Sequence, residues 1–106
     1  MIISFNTREL RDCCASLEKA EAVVGSAHAQ ELISVLSDAE AADTAAEFIE
    51  FYAPSVAVDG DSILLPIGTR YRLSFAAIGV ALVRDDRAGL EWSAVRRLKV
   101  MDLSPC

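Results

Sequence analysis

The sequence predicts an α+β domain: an N-terminal strand and a helical hairpin packed on a small, mainly antiparallel sheet from the C-terminal half. Three observations carry this. Apolar residues recur at helical spacing between Leu10 and Pro54. Beyond Pro54 the period becomes that of a half-buried strand, with Tyr71, Leu73 and Phe75 alternating with Arg70, Arg72 and Ser74. The strand candidates are separated by short turns, Asp59-Gly60-Asp61 and Gly68-Thr69, which favours antiparallel neighbours. With 106 residues, 53% of them apolar, the chain is expected to form one domain over 1–106, large enough for its own core.

Ile2, Ile3 and Phe5 make a short β-prone opening. Asn6 reads as a helix N-cap, with Glu9 placed to reach back to it. Leu10, Cys13, Cys14, Leu17, Ala20 and Val24 follow on one helical face, and Gly25 can close that helix. Ser26 can cap a second helix whose inward face is Ala29, Leu32, Ile33 and Leu36. Ser37 and Glu40 form a further S-x-x-E pair, so that either a third helix starts there or the second continues. Ala42, Ala45, Ala46, Phe48 and Ile49 extend the apolar stripe until Pro54 stops it. Val56 and Val58 lead into the Asp59 turn, and Ser62 to Ile67 is a strand in which Pro66 implies a bulge or an edge. The apolar residues 78–83 extend the next strand or cross the core, and Arg84 to Gly89 reads as a polar loop. The last strand is expected from Trp92 or Val95 to Leu103, with Leu98 and Val100 alternating with Arg97 and Lys99.

No run approaches the ~18–20 uninterrupted apolar residues of a membrane span, and the opening Met1-Ile2-Ile3-Ser4-Phe5 has no basic region ahead of a long apolar stretch. A cytoplasmic address without membrane contact is expected. The three cysteines, Cys13, Cys14 and Cys106, form neither a CxxC spacing nor an even disulfide framework, and an adjacent pair on an apolar helix face reads as core. His28 is the one histidine, which leaves no ligand set for structural zinc; it reads as an ordinary surface residue. Tyr52 has no evident partner, and Tyr71 shares the inward parity of Leu73 and Phe75.

The net charge of −6 argues against a protein that embraces phosphates, but it is unevenly spread. Residues 20–69 hold nine acids and no lysine or arginine, whereas residues 70–106 carry a net +3. Arg70 and Arg72 share one strand face, and Arg97 and Lys99 share another. With Arg96, four or five of these cations would line one surface if their strands were neighbours, enough to bind phosphates. An arginine alternating with Tyr, Leu and Phe is also what any solvated strand face shows. The acidic middle is likewise an ordinary solvated helical face, or a surface for a basic partner.

Several segments resemble the HigB-like killer branch of the RelE/ParE toxin superfamily. The opening Met1-Ile2-Ile3-Ser4-Phe5-Asn6-Thr7-Arg8-Glu9-Leu10-Arg11 resembles its first strand running into a capped helix. Leu36-Ser37-Asp38-Ala39-Glu40-Ala41-Ala42-Asp43 resembles the end of its helical hairpin. Asp59-Gly60-Asp61 and Arg70-Tyr71-Arg72-Leu73-Ser74-Phe75 resemble its central strands. Glu91-Trp92-Ser93-Ala94-Val95-Arg96-Arg97-Leu98-Lys99-Val100 resembles the approach to its last strand. These strings span nearly the whole chain in the family's order.

The resemblance implies the toxin of a type II toxin–antitoxin pair, held inactive by a cognate antitoxin, often a helix-turn-helix protein. When free it would cut messenger RNA on the ribosome as a metal-independent endoribonuclease, without a cofactor. Arg72 matches a family position that contributes a cation to that chemistry. A ParE-like inhibitor of DNA gyrase and a catalytically silent protein-binding module share the scaffold, and a homodimer is compatible with the charge split. Two departures stand out. Residues 59–69 lack the branch's basic segment, and Met101-Asp102-Leu103-Ser104-Pro105-Cys106 lacks its Asp-Tyr-His-like string, so the family's acid–base groups have no counterpart there.

Overall fold

The computed structural model describes residues 1–79, 84–85 and 89–105. The chain runs β1 (Ile2–Phe5), α1 (Arg8–Cys14), α2 (Leu17–Val24), α3 (Ser26–Ala41), α4 (Ala45–Tyr52), β2 (Ala57–Asp59), β3 (Ser62–Ile67) and β4 (Tyr71–Ala77). There follow a short hairpin, β5 (Arg84–Asp85) and β6 (Gly89–Leu90), a 3₁₀ turn at Trp92–Ala94, and β7 (Arg97–Pro105). The five-stranded sheet has the order β1-β7-β4-β3-β2. β1 runs parallel to β7, and the other pairings are antiparallel. The class is α+β, with a mixed sheet that the N-terminal strand joins.

The helical region differs from the expected hairpin in ways that caps explain. Asn6 does not cap α1: its N–H donates to the Val100 carbonyl at 2.8 Å, directly after β1, and the helix starts only at Arg8. Thr7 caps instead, its Oγ1 accepting from the Leu10 N–H at 3.1 Å. The stripe from Leu10 to Val24 is two helices, since Ser16 accepts from the Lys19 N–H at 3.2 Å and starts α2. A local side-chain bond of this kind competes with helix continuation. α3 passes through Ser37 and Glu40 without a break, so no helix begins there. α4 starts after Thr44, which accepts from the Glu47 N–H at 3.3 Å while Glu47 Oε2 accepts from the Asp43 N–H at 2.8 Å.

Leu32, Val35 and Leu36 of α3 and Phe48 of α4 are buried with Ile63, Leu65, Leu73, Phe75, Leu98 and Val100 of the sheet. Phe48 and Phe75 meet edge to face, ring centroids 5.5 Å apart. Pro66 pairs with Arg72 on β4, but β2 reaches only as far as Leu64. Its other flank therefore faces no strand among the described residues, where a residue without N–H is tolerated.

The last strand begins at Arg97 rather than Trp92 or Val95. Val95 is buried, and its carbonyl accepts from the Ala45 N–H at 2.8 Å, tying the 3₁₀ turn to α4. The polar segment from Arg84 begins and ends in the paired β5 and β6. Residues 80–83 of the expected apolar extension, 86–88 of the expected loop, and Cys106 lie outside the described residues. Among the described residues no helix is long and apolar enough to cross a membrane.

Candidate functional site

The candidate site is built on the sheet face turned away from the helices, where β4 and β7 lie side by side. Their register runs Ala77↔Leu98, Ala76↔Lys99 and Phe75↔Val100, then shifts and continues Ser74↔Asp102, Leu73↔Leu103 and Arg72↔Ser104. Met101 is thus an extra residue, a bulge in β7 opposite the Ser74–Phe75 step. Leu73, Phe75, Ala77, Leu98 and Val100 enter the core. By alternation Arg72, Ser74, Ala76, Arg97, Lys99 and Asp102 take the other face, on which Arg72, Arg97 and Asp102 are exposed and Lys99 is half-buried.

The bulge decides where Asp102 goes. In an unbroken strand, Leu98, Val100 and residue 102 would share the core-facing parity. The extra residue resets the alternation and puts Asp102 outward, opposite Ser74. Arg72 lies diagonally across from Asp102, a spacing of about 7–8 Å between backbones that long side chains can bridge. Lys99 lies one row beyond on the other side, opposite Ala76. Along β4 the rows of Arg72 and Lys99 are about 13 Å apart, at roughly 3.3 Å per residue.

Of the five sequence-predicted cations, Arg72, Arg97 and Lys99 therefore share one face. Arg70 stands in the turn before β4 and Arg96 just ahead of β7; both are exposed and outside the rows. The one ion pair among the described residues is Arg11–Asp12, 3.9 Å, within α1, so none of the five cations is neutralised at ion-pair distance by a described carboxylate. The surface is less uniformly basic than the sequence implies, because Asp102 sits between its two cationic rows. Sequence reasoning missed this residue; its signal was a charge placed in a core-parity slot.

His28, expected as an ordinary surface residue, and Tyr52, expected without a partner, both have partners. His28 is not a free surface histidine. It is half-buried on α3, its ring edge-on to Tyr71 with centroids 5.4 Å apart. Both belong to the helical side of the sheet, opposite Arg72, so neither imidazole nor phenol reaches the outer face from there. Tyr52 donates from its hydroxyl to Asp38 Oδ2 at 2.5 Å. Burial, and then the carboxylate it bonds, push its phenol well above the usual range.

Cys13 is buried and Cys14 half-buried. Burial raises both thiols, Cys14 to about 12 with the neighbouring Cys13 adding to the shift, so neither is a thiolate near neutrality. Among the described residues no group of three metal-binding side chains gathers. Comparison of the chain with protein-family models, with curated proteins and with solved structures yields no match.

Proposed function

We propose that the chain is the toxin component of a type II toxin–antitoxin pair on a RelE-like scaffold, acting on messenger RNA at the ribosome through the outer face of β4 and β7. The observation that carries this reading is the set of Arg72, Arg97 and Lys99 on one open sheet face, without described carboxylates at ion-pair distance. Cations that stay unpaired on a sheet face are available to phosphate oxygens, and a guanidinium can take two at once. The fold lends support through its order of strand, helices and sheet, which is the layout the sequence resemblance implies.

Metal-independent RNA cleavage removes a proton from a ribose 2′-hydroxyl, which then attacks the adjacent phosphorus and expels the 5′-oxygen. Asp102 is the one carboxylate in the outer rows of β4 and β7 and is the base of this reading. Arg72 and Lys99 flank it and stabilise the charge of the pentacoordinate phosphorus. The face offers no imidazole or phenol, so the leaving oxygen takes its proton from water and the chemistry is slow. That gap favours one second reading, a catalytically silent protein-binding module on the same scaffold.

The test is expression in a bacterial host alongside incubation of the purified protein in a translating lysate. Growth arrest with 5′-end-mapped cuts in translated messages, lost in Asp102→Asn, supports the enzyme. Normal growth with intact transcripts at full expression rejects it. Growth arrest with intact transcripts and reduced plasmid supercoiling would instead point to gyrase.

A further inference from the structure

A cavity of about 250 Å³ opens between the C-terminal turn of α3 and α4, on the helical layer and so remote from the outer sheet face. It is lined by Asp38, Ala41, Ala42, Glu47, Phe48 and Phe51. Phe51 is 69% exposed, the most exposed large apolar side chain among the described residues. It is nevertheless held in place. Its ring meets Tyr52 edge to face at 5.1 Å, and Tyr52 meets the buried Phe48 at 5.2 Å.

Both carboxylates of the cavity are fixed as well. Asp38 uses Oδ2 for the Tyr52 hydroxyl, and Glu47 uses Oε2 for the Asp43 N–H. Each keeps a second oxygen for which the described residues supply no donor. The rings offer an apolar floor and π-faces, and the carboxylates offer acceptors at the rim. That is the chemistry of a site for a cation on an aliphatic stem. The segment around it, residues 20–69, has nine acids and no lysine or arginine. Its field draws cations and repels anions, and the Met1 ammonium, which reaches the lining at Ala42, is already bonded to the Glu40 and Ala42 carbonyls rather than to either carboxylate.

We propose that this cavity is a recognition pocket for one arginine or lysine side chain presented by a basic segment of a partner protein. The stem of that side chain lies on Phe48 and Phe51, and its head bonds Asp38 and Glu47. A neutral or acidic segment of the same shape would leave both carboxylates without a donor and is rejected. The inference stands independently of the RNA reading, since it uses no residue of β4 or β7.

The experiment titrates the full chain with Nα-acetyl-arginine N-methylamide, following the NMR signals of the Ala41 and Ala42 methyl groups. The citrulline analogue, which keeps the shape and loses the charge, is the control. Saturable shifts at both alanines, with a Kd in the millimolar range expected of a single side chain, support the pocket. Phe51→Ala and Glu47→Gln should each weaken binding at least threefold. Phe51 is exposed, and a glutamine can still accept from Asp43, so both variants should keep the fold. Equal shifts with citrulline, unchanged affinity in both variants, or no saturable response would each overturn the proposal.

Discussion

His28 occupies the space that a side chain at position 68 would need: a Cβ built on Gly68 would lie 2.5 Å from His28 Cδ2 and 2.6 Å from Nε2. Gly68 also has φ +62, in the left-handed region. α3 is thereby packed against the β3–β4 turn that launches the Tyr71–Phe75 strand. Gly68→Ala meets both the backbone penalty and the ring, and should lower stability by about 1–3 kcal/mol. Adding His28→Ala should restore part of the loss, because the contact is shared. Urea unfolding of the two single variants and the double variant measures this. Additive losses would show that the ring and the turn do not meet.

The Tyr52–Asp38 bond joins α4 to α3 across 14 residues. Tyr52→Phe removes a half-buried donor and should cost on the order of 1 kcal/mol in urea unfolding. A result within error of wild type would mean that the bond contributes nothing.

Alkaline pH should destabilise the protein through three groups. Cys13 and Cys14 are raised from 9.0, Cys14 to about 12, and Tyr52 is raised from 10.0, so all three hold protons in the folded state that the unfolded chain releases. Groups raised on folding contribute stability that is complete below their unfolded pKa and is lost as pH rises toward the folded value. Urea midpoints should therefore fall from about pH 9 upward. Cys14→Ala should flatten the earlier part of the fall, and Tyr52→Phe the part above about pH 10. A midpoint independent of pH across that range would contradict the burial of all three groups.

Met101 is the residue by which β7 exceeds β4 between Val100 and Asp102. Its deletion would bring Val100 and Asp102 together in regular alternation, still facing in and out. The deleted protein should fold, losing less stability than Gly68→Ala, and should keep whatever activity depends on Asp102. Replacing Asp102 by leucine should leave folding intact but abolish that activity, since the position is exposed. A large stability gain in Asp102→Leu, measured by thermal unfolding, would indicate that residue 102 faces the core after all.

Much of the sheet is legible in the sequence because its signals are local. Leu73 and Phe75 alternate with Arg72 and Ser74, Gly60 and Gly68 mark the turns, and Arg97 and Lys99 oppose Leu98 and Val100. What escapes is either non-local or a break in a continuing pattern. The parallel pairing of β1 with β7 joins opposite ends of the chain, and nothing in Ile2–Phe5 announces it. The α1–α2 break hides because Leu17, Ala20 and Val24 continue the spacing of Leu10 and Cys13 across Ser16. Asp102 was missed because one bulge inverts the parity on which strand reading depends. The partners of His28 and Tyr52 are set by helix packing, which no local pattern encodes.

The central claim, that Arg72, Arg97 and Lys99 form a phosphate-binding face, is tested most directly by the salt dependence of binding to a single-stranded RNA oligonucleotide. Three phosphate contacts predict that the logarithm of the binding constant falls against the logarithm of salt concentration with a slope of about −2. Replacing all three cations by glutamine should bring the slope close to zero and remove measurable binding. Binding that persists in the triple variant with the same slope, or its absence from the wild-type protein at low salt, would contradict the account.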